Sequence, residues 1–491
     1  MEAAEARTRY DAERLQADYA QRLAEAQARQ REERSEEATA ASACVYAMMN
    51  GAPFTGSLSQ AQSRTSERLA QLRAWCIKAA GQLPWDTNIN PNEAAGHDEE
   101  STHAGTAKGH SHDDGLDCKN IAHAWIPAAK QQGICLIDIC GNTAAALEAS
   151  LKAGWKVSKY VYVDNDTDAA KLAQATVSRF MLEYPNALTE DAMDTFDNVD
   201  IPMDINQWQA NTVKRLMQGN QQEPWLVCCG WPCQDNSPGG RGLGAEGHRS
   251  TLIDRIIPLI RTAQSQAQCA YVLENTAIQH NWTDQSKWTA LLQTYDRKLG
   301  AHVCADAVRF GSNAHRVRNY WTNIADGTAL QRAVNNIEVP LPPLHQYFPP
   351  GTEFSRVERS DSSCFFPANR KSHPRCILPT FTSFVASRAY TLVPSKVQEG
   401  KSKPGPGMVC NKSGNWREPN SAEKASVMGH NPDCFCGSSL PDNARLGIIG
   451  KAWDLHAIVG LFILAQELGE PTTPHAYNLS VHLTQVDTPY H

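Results

Sequence analysis

The chain has 491 residues, 41% of them hydrophobic, enough for one large domain plus an appendage. No apolar run reaches membrane-spanning length and the acidic, Ala-rich start is unlike a secretory signal, so the expectation is a soluble intracellular protein with no membrane partner. A formal net charge of −7 excludes a global pull on nucleic acid, leaving only a local basic cleft for such contacts, and 15 scattered cysteines read as reduced thiols.

Residues 1–81 read as a helical N-terminal extension. Ala12, Leu15, Tyr19, Leu23 and Ala26 recur at helical spacing within residues 1–40, which fits both a solvated helix and a coiled-coil site for a protein partner. Leu58, Thr65, Leu69, Leu72 and Cys76 predict a second amphipathic helix ending near Gly81. Residues 82–118 are polar and carry His97, His103, His110 and His112 at irregular spacing. Zinc ligands need regular pairing in an ordered frame, so this stretch reads as a solvated linker and no metal is expected.

From residue 119 short apolar runs alternate with helical stretches, the pattern of a doubly wound parallel sheet. Ile134–Ile139 is the first expected strand, Cys140-Gly141-Asn142 its turn, and Thr143–Ala153 the first helix. Tyr160–Val163 follows as a strand ending in Asp164, which fits either a ribose diol acceptor or a helix cap, since residues 166–182 look helical. Three further strand ends are expected: residues 201–205 with Asp204 placed to hold an adenine amino group, Trp225–Cys229 leading to Cys233, and Ala270–Leu273 ending in Glu274-Asn275. Ligands in such sheets bind outside the carboxyl ends of the strands, so these residues converge on one crevice. One crossover helix, residues 251–264, fits between the last two strands and makes them parallel.

Cys233 follows a proline at the end of an apolar run and precedes the Gly-rich stretch 238–244, a strand end opening into a loop that suits a reactive thiol. Alone, it reads more readily as a half-buried structural cysteine. In Ala314-His315-Arg316-Val317-Arg318-Asn319-Tyr320-Trp321, alternation puts Arg316 and Arg318 on one face, a fork for a phosphate or a base carbonyl. Residues 417–428 read as a helix, and Leu446–Trp453 leads into an apolar helix through Phe462.

Across residues 130–465 the order of these segments resembles the DNA cytosine-5 methyltransferases. Gly230-Trp231-Pro232-Cys233-Gln234 is similar to the family's nucleophile motif, Leu273-Glu274-Asn275 to its glutamate motif and Arg316-Val317-Arg318 to its arginine motif; the stretch around Arg316 and Gly450-Lys451-Ala452-Trp453 resemble the de novo branch. The resemblance implies a Rossmann-like S-adenosylmethionine-dependent methyltransferase fold, a doubly wound mixed sheet with an inserted target-recognition region and N-terminal helices. Its implied divisions are a core at 119–324, a recognition region at 325–415 and a C-terminal return at 416–491. It implies Cys233, Glu274, Arg316 and Arg318 as catalytic residues, and a donor pocket of Asp138, Ile139, Gly141, Asp164, Asp204, Ile205, Lys451 and Trp453, with the last two near Asp138 and Gly141. Asn236, Ser237, Arg241, Lys371, Arg375 and Arg388 become the expected nucleic-acid contacts, with double-stranded DNA as partner and a nuclear location. A tRNA cytosine and a cytoplasmic location form one alternative, and a non-catalytic regulatory paralogue another. The first turn departs from the family's Phe-x-Gly-x-Gly, reading Ile139-Cys140-Gly141-Asn142-Thr143.

Overall fold

A computed structural model of the protein describes residues 58–81, 115–188, 192, 201–237, 242–280, 284–349, 351–354, 378, 408–410, 416–432 and 440–469. The helix expected in residues 1–40, most of the His-rich linker, Arg241, Lys371, Arg375 and Arg388 lie outside the described residues.

Six strands form the central sheet: β1 (Ile134–Ile139), β2 (Val157–Val163), β3 (Trp225–Gly230), β4 (Cys269–Thr276), β5 (Val303–Asp306) and β6 (Val317–Thr322), in the order β2-β1-β3-β4-β6-β5. The pairs β1–β2, β1–β3 and β3–β4 are parallel, and β6 runs antiparallel to both β4 and β5, so the sheet is mixed. Strands β1 to β4 are almost wholly buried apolar runs, as expected for strands covered on both faces. Alternation sends Leu136, Cys228 and Val272 into one layer and Ile137, Val227 and Leu273 into the other. The first layer packs α1 (Leu58–Gly81), α2 (Ala122–Gln132), α3 (Ala145–Ala153), α4 (Thr167–Glu183), α8 (Gly327–Asn336) and α11 (Leu455–Gly469); the second packs α5 (Ala210–Met217), α6 (Leu252–Gln266) and α7 (Gln285–Leu299). The chain leaves β1 for β2 on one side and continues to β3 on the other, so the carboxyl ends of β1 and β3 flank the switch point where open α/β sheets bind ligands.

A smaller unit holds the short strands β7 (Glu353–Phe354), β8 (Val409–Cys410) and β9 (Trp416–Arg417), with α9 (Ser421–Val427) and α10 (Asp442–Lys451) packed on a third apolar cluster.

Three expectations change. Residues 201–205 form no strand: Pro202 lacks an amide to donate, and Asp204 accepts from Asn206 N at 2.9 Å to start the one-turn helix Ile205–Gln207, while β2 and β3 already occupy both sides of β1. The helix expected from Arg417 starts four residues later, because Trp416–Arg417 pairs with β8, Pro419 intervenes, and Asn420 with Glu423 closes a capping box. Residues Asp442–Gly469, with mean hydropathy 1.6 over their most apolar window, are long and apolar enough to cross a membrane, contrary to the reading of the sequence. That window is 89% buried, and α11 packs against α1, α2, α3 and α8 as a core helix. Among the described residues the cysteines are free thiols and no group of metal-binding side chains assembles.

Candidate active site

Strand β3 runs through Cys228 and Cys229 to Gly230, and the chain turns at Trp231-Pro232 to present Cys233. Trp231 is buried against Tyr295 at 5.6 Å and Trp321 at 5.5 Å between ring centroids, which pins the start of the turn. The turn closes with Asn236 N donating to Cys233 O at 2.9 Å. Asn236 is fully buried: its amide donates to Asn275 Oδ1 and Tyr295 OH and accepts from Ser250 Oγ at 2.9 Å. Asp235 accepts from Arg249 N at 2.9 Å, closing the far side of the Gly-rich loop. Asn236 therefore anchors this loop from within and, as placed, offers no surface to a nucleic acid, while Ser237 beside it is half-buried.

Adjacent residues at the end of β4 do opposite jobs because strand side chains alternate. Asn275 faces the α6–α7 layer and donates to Trp231 O at 2.9 Å, holding the Cys233 turn. Glu274 faces the crevice. Register pairs Glu274 with Gly230 on β3 and with Tyr320 on β6, and Thr276 with Arg318. Arg318 Nε lies 2.8 Å from Glu274 Oε1, a buried ion pair, and the indole of Trp453 hydrogen-bonds the same carboxylate. Gly230 is required here: a Cβ would stand 2.4 Å from Trp453 Nε1 and 3.1 Å from Glu274 Oε2. Burial raises the Glu274 pKa, opposed by Arg318, Arg316 and the Trp453 indole.

Arg316 is buried and donates to Ala452 O at 2.6 Å and Gly450 O at 3.3 Å, while its own amide donates to Asp306 Oδ1 at 3.0 Å. Burial, with Arg318 adding repulsion, lowers its pKa to about 10. The Cys233 thiol is raised above its ordinary value of 9.0 by burial, with Arg318 and Arg316 pulling down and Glu274 pushing up. Cys233, Glu274, Arg316 and Arg318 therefore share one electrostatic environment at the carboxyl ends of β3 and β4 and the amino end of β6. Cys228 and Cys229 are fully buried and held well above the normal thiol range by burial.

The other end of the crevice is the turn after β1. Cys140, Asn142 and Ala144 take left-handed φ of 55°, 48° and 58°. Gly141 lies under the ring of Tyr162, where a Cβ would come within 2.6 Å, and Tyr162 OH donates to Asn142 O at 3.0 Å. Asp164 accepts from Asn142 N at 3.1 Å and Asp166 N at 2.9 Å, so it ties the two strand ends together, while Asp166 caps α4. Burial raises the Asp164 pKa. Asn142 Oδ1 and Thr143 Oγ1 are buried without a hydrogen-bond partner. Asp138 is buried, accepts from Tyr160 OH at 3.0 Å and is pushed well up by burial. Buried Ile139 ends β1, Asp204 caps the turn at 205–207, and Ile205 packs into the core. Lys451 reaches Asp166 Oδ2 at 3.0 Å beside this end, whereas Trp453 stands at Gly230 and Glu274.

Sequence reasoning did not foresee the grip of Arg316 on the 450–452 carbonyls, the Trp453–Glu274 contact, or Tyr162 over Gly141. The first two join residues more than 130 positions apart, and no local pattern encodes them; only the small residue at Gly230 hinted at a close approach.

No family model matches the chain and no curated protein matches it. Among solved structures, the Dnmt2 methyltransferase of S. pombe is 13% identical with a TM-score of 0.41, covering 67% of this chain and 97% of that one. The Entamoeba histolytica methyltransferase EhMeth is 11% identical with a TM-score of 0.41, covering 68% and 98%. A putative DNA modification methyltransferase encoded within an E. coli prophage is 12% identical with a TM-score of 0.38, covering 68% and 98%. Likenesses this distant leave the chemistry to be read from the side chains.

Proposed function

We propose that this protein transfers a methyl group from S-adenosylmethionine to carbon 5 of a flipped-out cytosine in double-stranded DNA, in the manner of the cytosine-5 methyltransferases and nearest to their de novo branch. The observation that carries the reading is the meeting of Cys233, Glu274, Arg316 and Arg318 in one crevice. Cytosine carbon 5 is too weak a nucleophile to take a methyl group unaided. Addition of the Cys233 sulfur to carbon 6 makes the ring enamine-like, and Glu274, held by Arg318 and Trp453, is placed to hydrogen-bond the ring nitrogen and exocyclic amine as charge develops. Arg318 is the group for the base carbonyl. Arg316, committed to the carbonyls of Gly450 and Ala452, braces the site. Burial favours the thiol form of Cys233 in the free protein, so its proton passes to solvent as the sulfur adds; after methyl transfer the carbon-5 proton is lost to solvent and the carbon-6–sulfur bond breaks, which restores the ring and frees the thiolate.

The donor site fits the residues at the β1–β2 end. Asp164 retains lone pairs for a ribose diol, Asn142 Oδ1 and Thr143 Oγ1 are unmet acceptors, and Gly141 keeps the turn free of a side chain. Bound there, the donor supplies the methyl group. The target atoms are inaccessible in a stacked duplex, so the base has to leave the helix, and the loop 237–247, anchored by Asp235 and Asn236, is the element to close over it. Lys371, Arg375 and Arg388, with exposed Arg249 and with Arg241, supply the local positive charge for the DNA backbone.

Incubation with methyl-labelled donor and either duplex DNA or tRNA tests the reading. Label at carbon 5 of cytosine in duplex DNA is expected. Label in tRNA alone would reassign the substrate to RNA, and label in neither would remove the activity.

A further inference from the structure

The segment between α10 and α11 is held at three points. On the crevice side, Arg316 holds the carbonyls of Gly450 and Ala452 and the Trp453 indole meets Glu274. His430, buried in the loop after α9, supplies the third hold, with Nε2 2.8 Å from the carbonyl oxygen of Trp453. A carbonyl only accepts, so Nε2 carries the proton and donates. The other ring nitrogen, Nδ1, faces Glu148 Oε2 at 3.7 Å. Glu148 lies on α3, the helix that follows the donor turn; against the opposing effect of burial, Lys152 at 2.7 Å, His430 and Arg179 hold its carboxyl well below the ordinary range. The loop itself is pinned. Gly429, at a left-handed φ of 87°, lets it approach α11 where a Cβ would stand 2.9 Å from the His456 ring, and Leu455 N donates to Met428 O at 2.9 Å.

We propose that His430 is a positioning residue for the reaction: by holding the Trp453 carbonyl it sets the indole that keeps Glu274 aimed at the substrate ring, an inference that rests on the methyltransferase reading. His430 touches neither substrate nor donor in this scheme. Its ring also joins α3, on the donor side, to the segment that orients the catalytic carboxylate.

The test compares H430L, which removes the donor, with H430Q, whose amide nitrogen reaches the same position. In protein carrying ¹⁵N-labelled tryptophan, the Trp453 indole resonance is assigned by its loss in W453F. It is expected to move in H430L and to stay near its original position in H430Q. In methyl transfer to duplex DNA, kcat is expected to fall roughly 10- to 100-fold in H430L with KM for the donor unchanged, and to recover in H430Q. Should H430L fail to fold, H430N, polar but one carbon shorter, provides the same contrast. An unmoved indole resonance in H430L, or equal damage in H430L and H430Q, would overturn the proposal. A wild-type protein that transfers no methyl group would instead remove the proposed function, with the indole resonance still deciding whether His430 sets Trp453.

Discussion

The two ends of the crevice are built on different terms. Where β3 and β4 finish and β6 begins, the polar groups are already engaged: Glu274 with Arg318 and Trp453, Arg316 with the carbonyls of Gly450 and Ala452, and Asn275 with the Cys233 turn. Where β1 and β2 finish, Cys140, Asn142 and Ala144 hold left-handed backbone, and Asn142 Oδ1 and Thr143 Oγ1 have no partner. Left-handed φ in a non-glycine residue costs on the order of 1–3 kcal/mol and persists only where the surroundings impose it. Under the proposed function, the engaged groups stand where charge would develop during reaction, and the turn with two unpartnered polar atoms stands where the donor would bind.

Substitutions at the two ends separate these roles. The largest expected effect is Glu274→Gln, which keeps shape but loses the charge that would stabilise the activated ring. Its kcat for methyl transfer should fall on the order of 100-fold or more, with donor affinity by calorimetry intact. Full turnover in this variant would take Glu274 out of the mechanism.

Asp164→Ala works at the other end. Loss of charge-assisted hydrogen bonds to the ribose should weaken donor binding by about 1.5–3 kcal/mol, read by calorimetry. Unchanged affinity would leave Asp164 as a tie between Asn142 and Asp166 alone. Gly230→Ala is expected to cost about 1–3 kcal/mol of stability, seen as a lowered Tm, because the new methyl collides with Trp453 Nε1 and Glu274. It should also slow methyl transfer while sparing the donor site. A Tm and rate equal to wild type would mean that Trp453 yields freely and the crevice is less rigid than described.

The mildest test concerns pH. Burial raises the Cys233 pKa above 9.0, so the thiolate fraction should be small at neutral pH and continue to grow above pH 9. Alkylation of Cys233 by iodoacetamide, followed by mass spectrometry of the free protein, should therefore be slow at pH 7 and accelerate through pH 9. Rapid alkylation already at pH 7 would show that Arg318 and Arg316 outweigh burial.

Much of this was legible in the sequence, for a physical reason. Strands covered on both faces are continuous apolar runs, and β1, β3 and β4 fall where Ile134–Ile139, Trp225–Cys229 and Ala270–Leu273 mark them. Residues at the ends of such runs must gather at one edge of a parallel sheet, which is why Cys233 and Glu274 meet. The strand at 201–205 was misread because an acid after apolar residues looks like a strand end when the missing amide of Pro202 is given no weight. The contacts that brace the crevice were not legible. Trp453 reaches Glu274, and His430 reaches Trp453, only through the packing of α9 and α10 on the third apolar cluster and of α11 in the core, and packing at that range leaves no local periodicity.

The central claim is that Cys233 is the nucleophile, and trapping tests it most directly. Duplex DNA carrying 5-fluorocytosine, incubated with S-adenosylmethionine, should give a covalent complex with wild-type protein, since fluorine blocks the loss from carbon 5 that would release the thiol. Peptide mapping should place the link at Cys233, and Cys233→Ser should give none while retaining its fold. A covalent complex formed by Cys233→Ser, or a link mapped to another residue, would contradict the account.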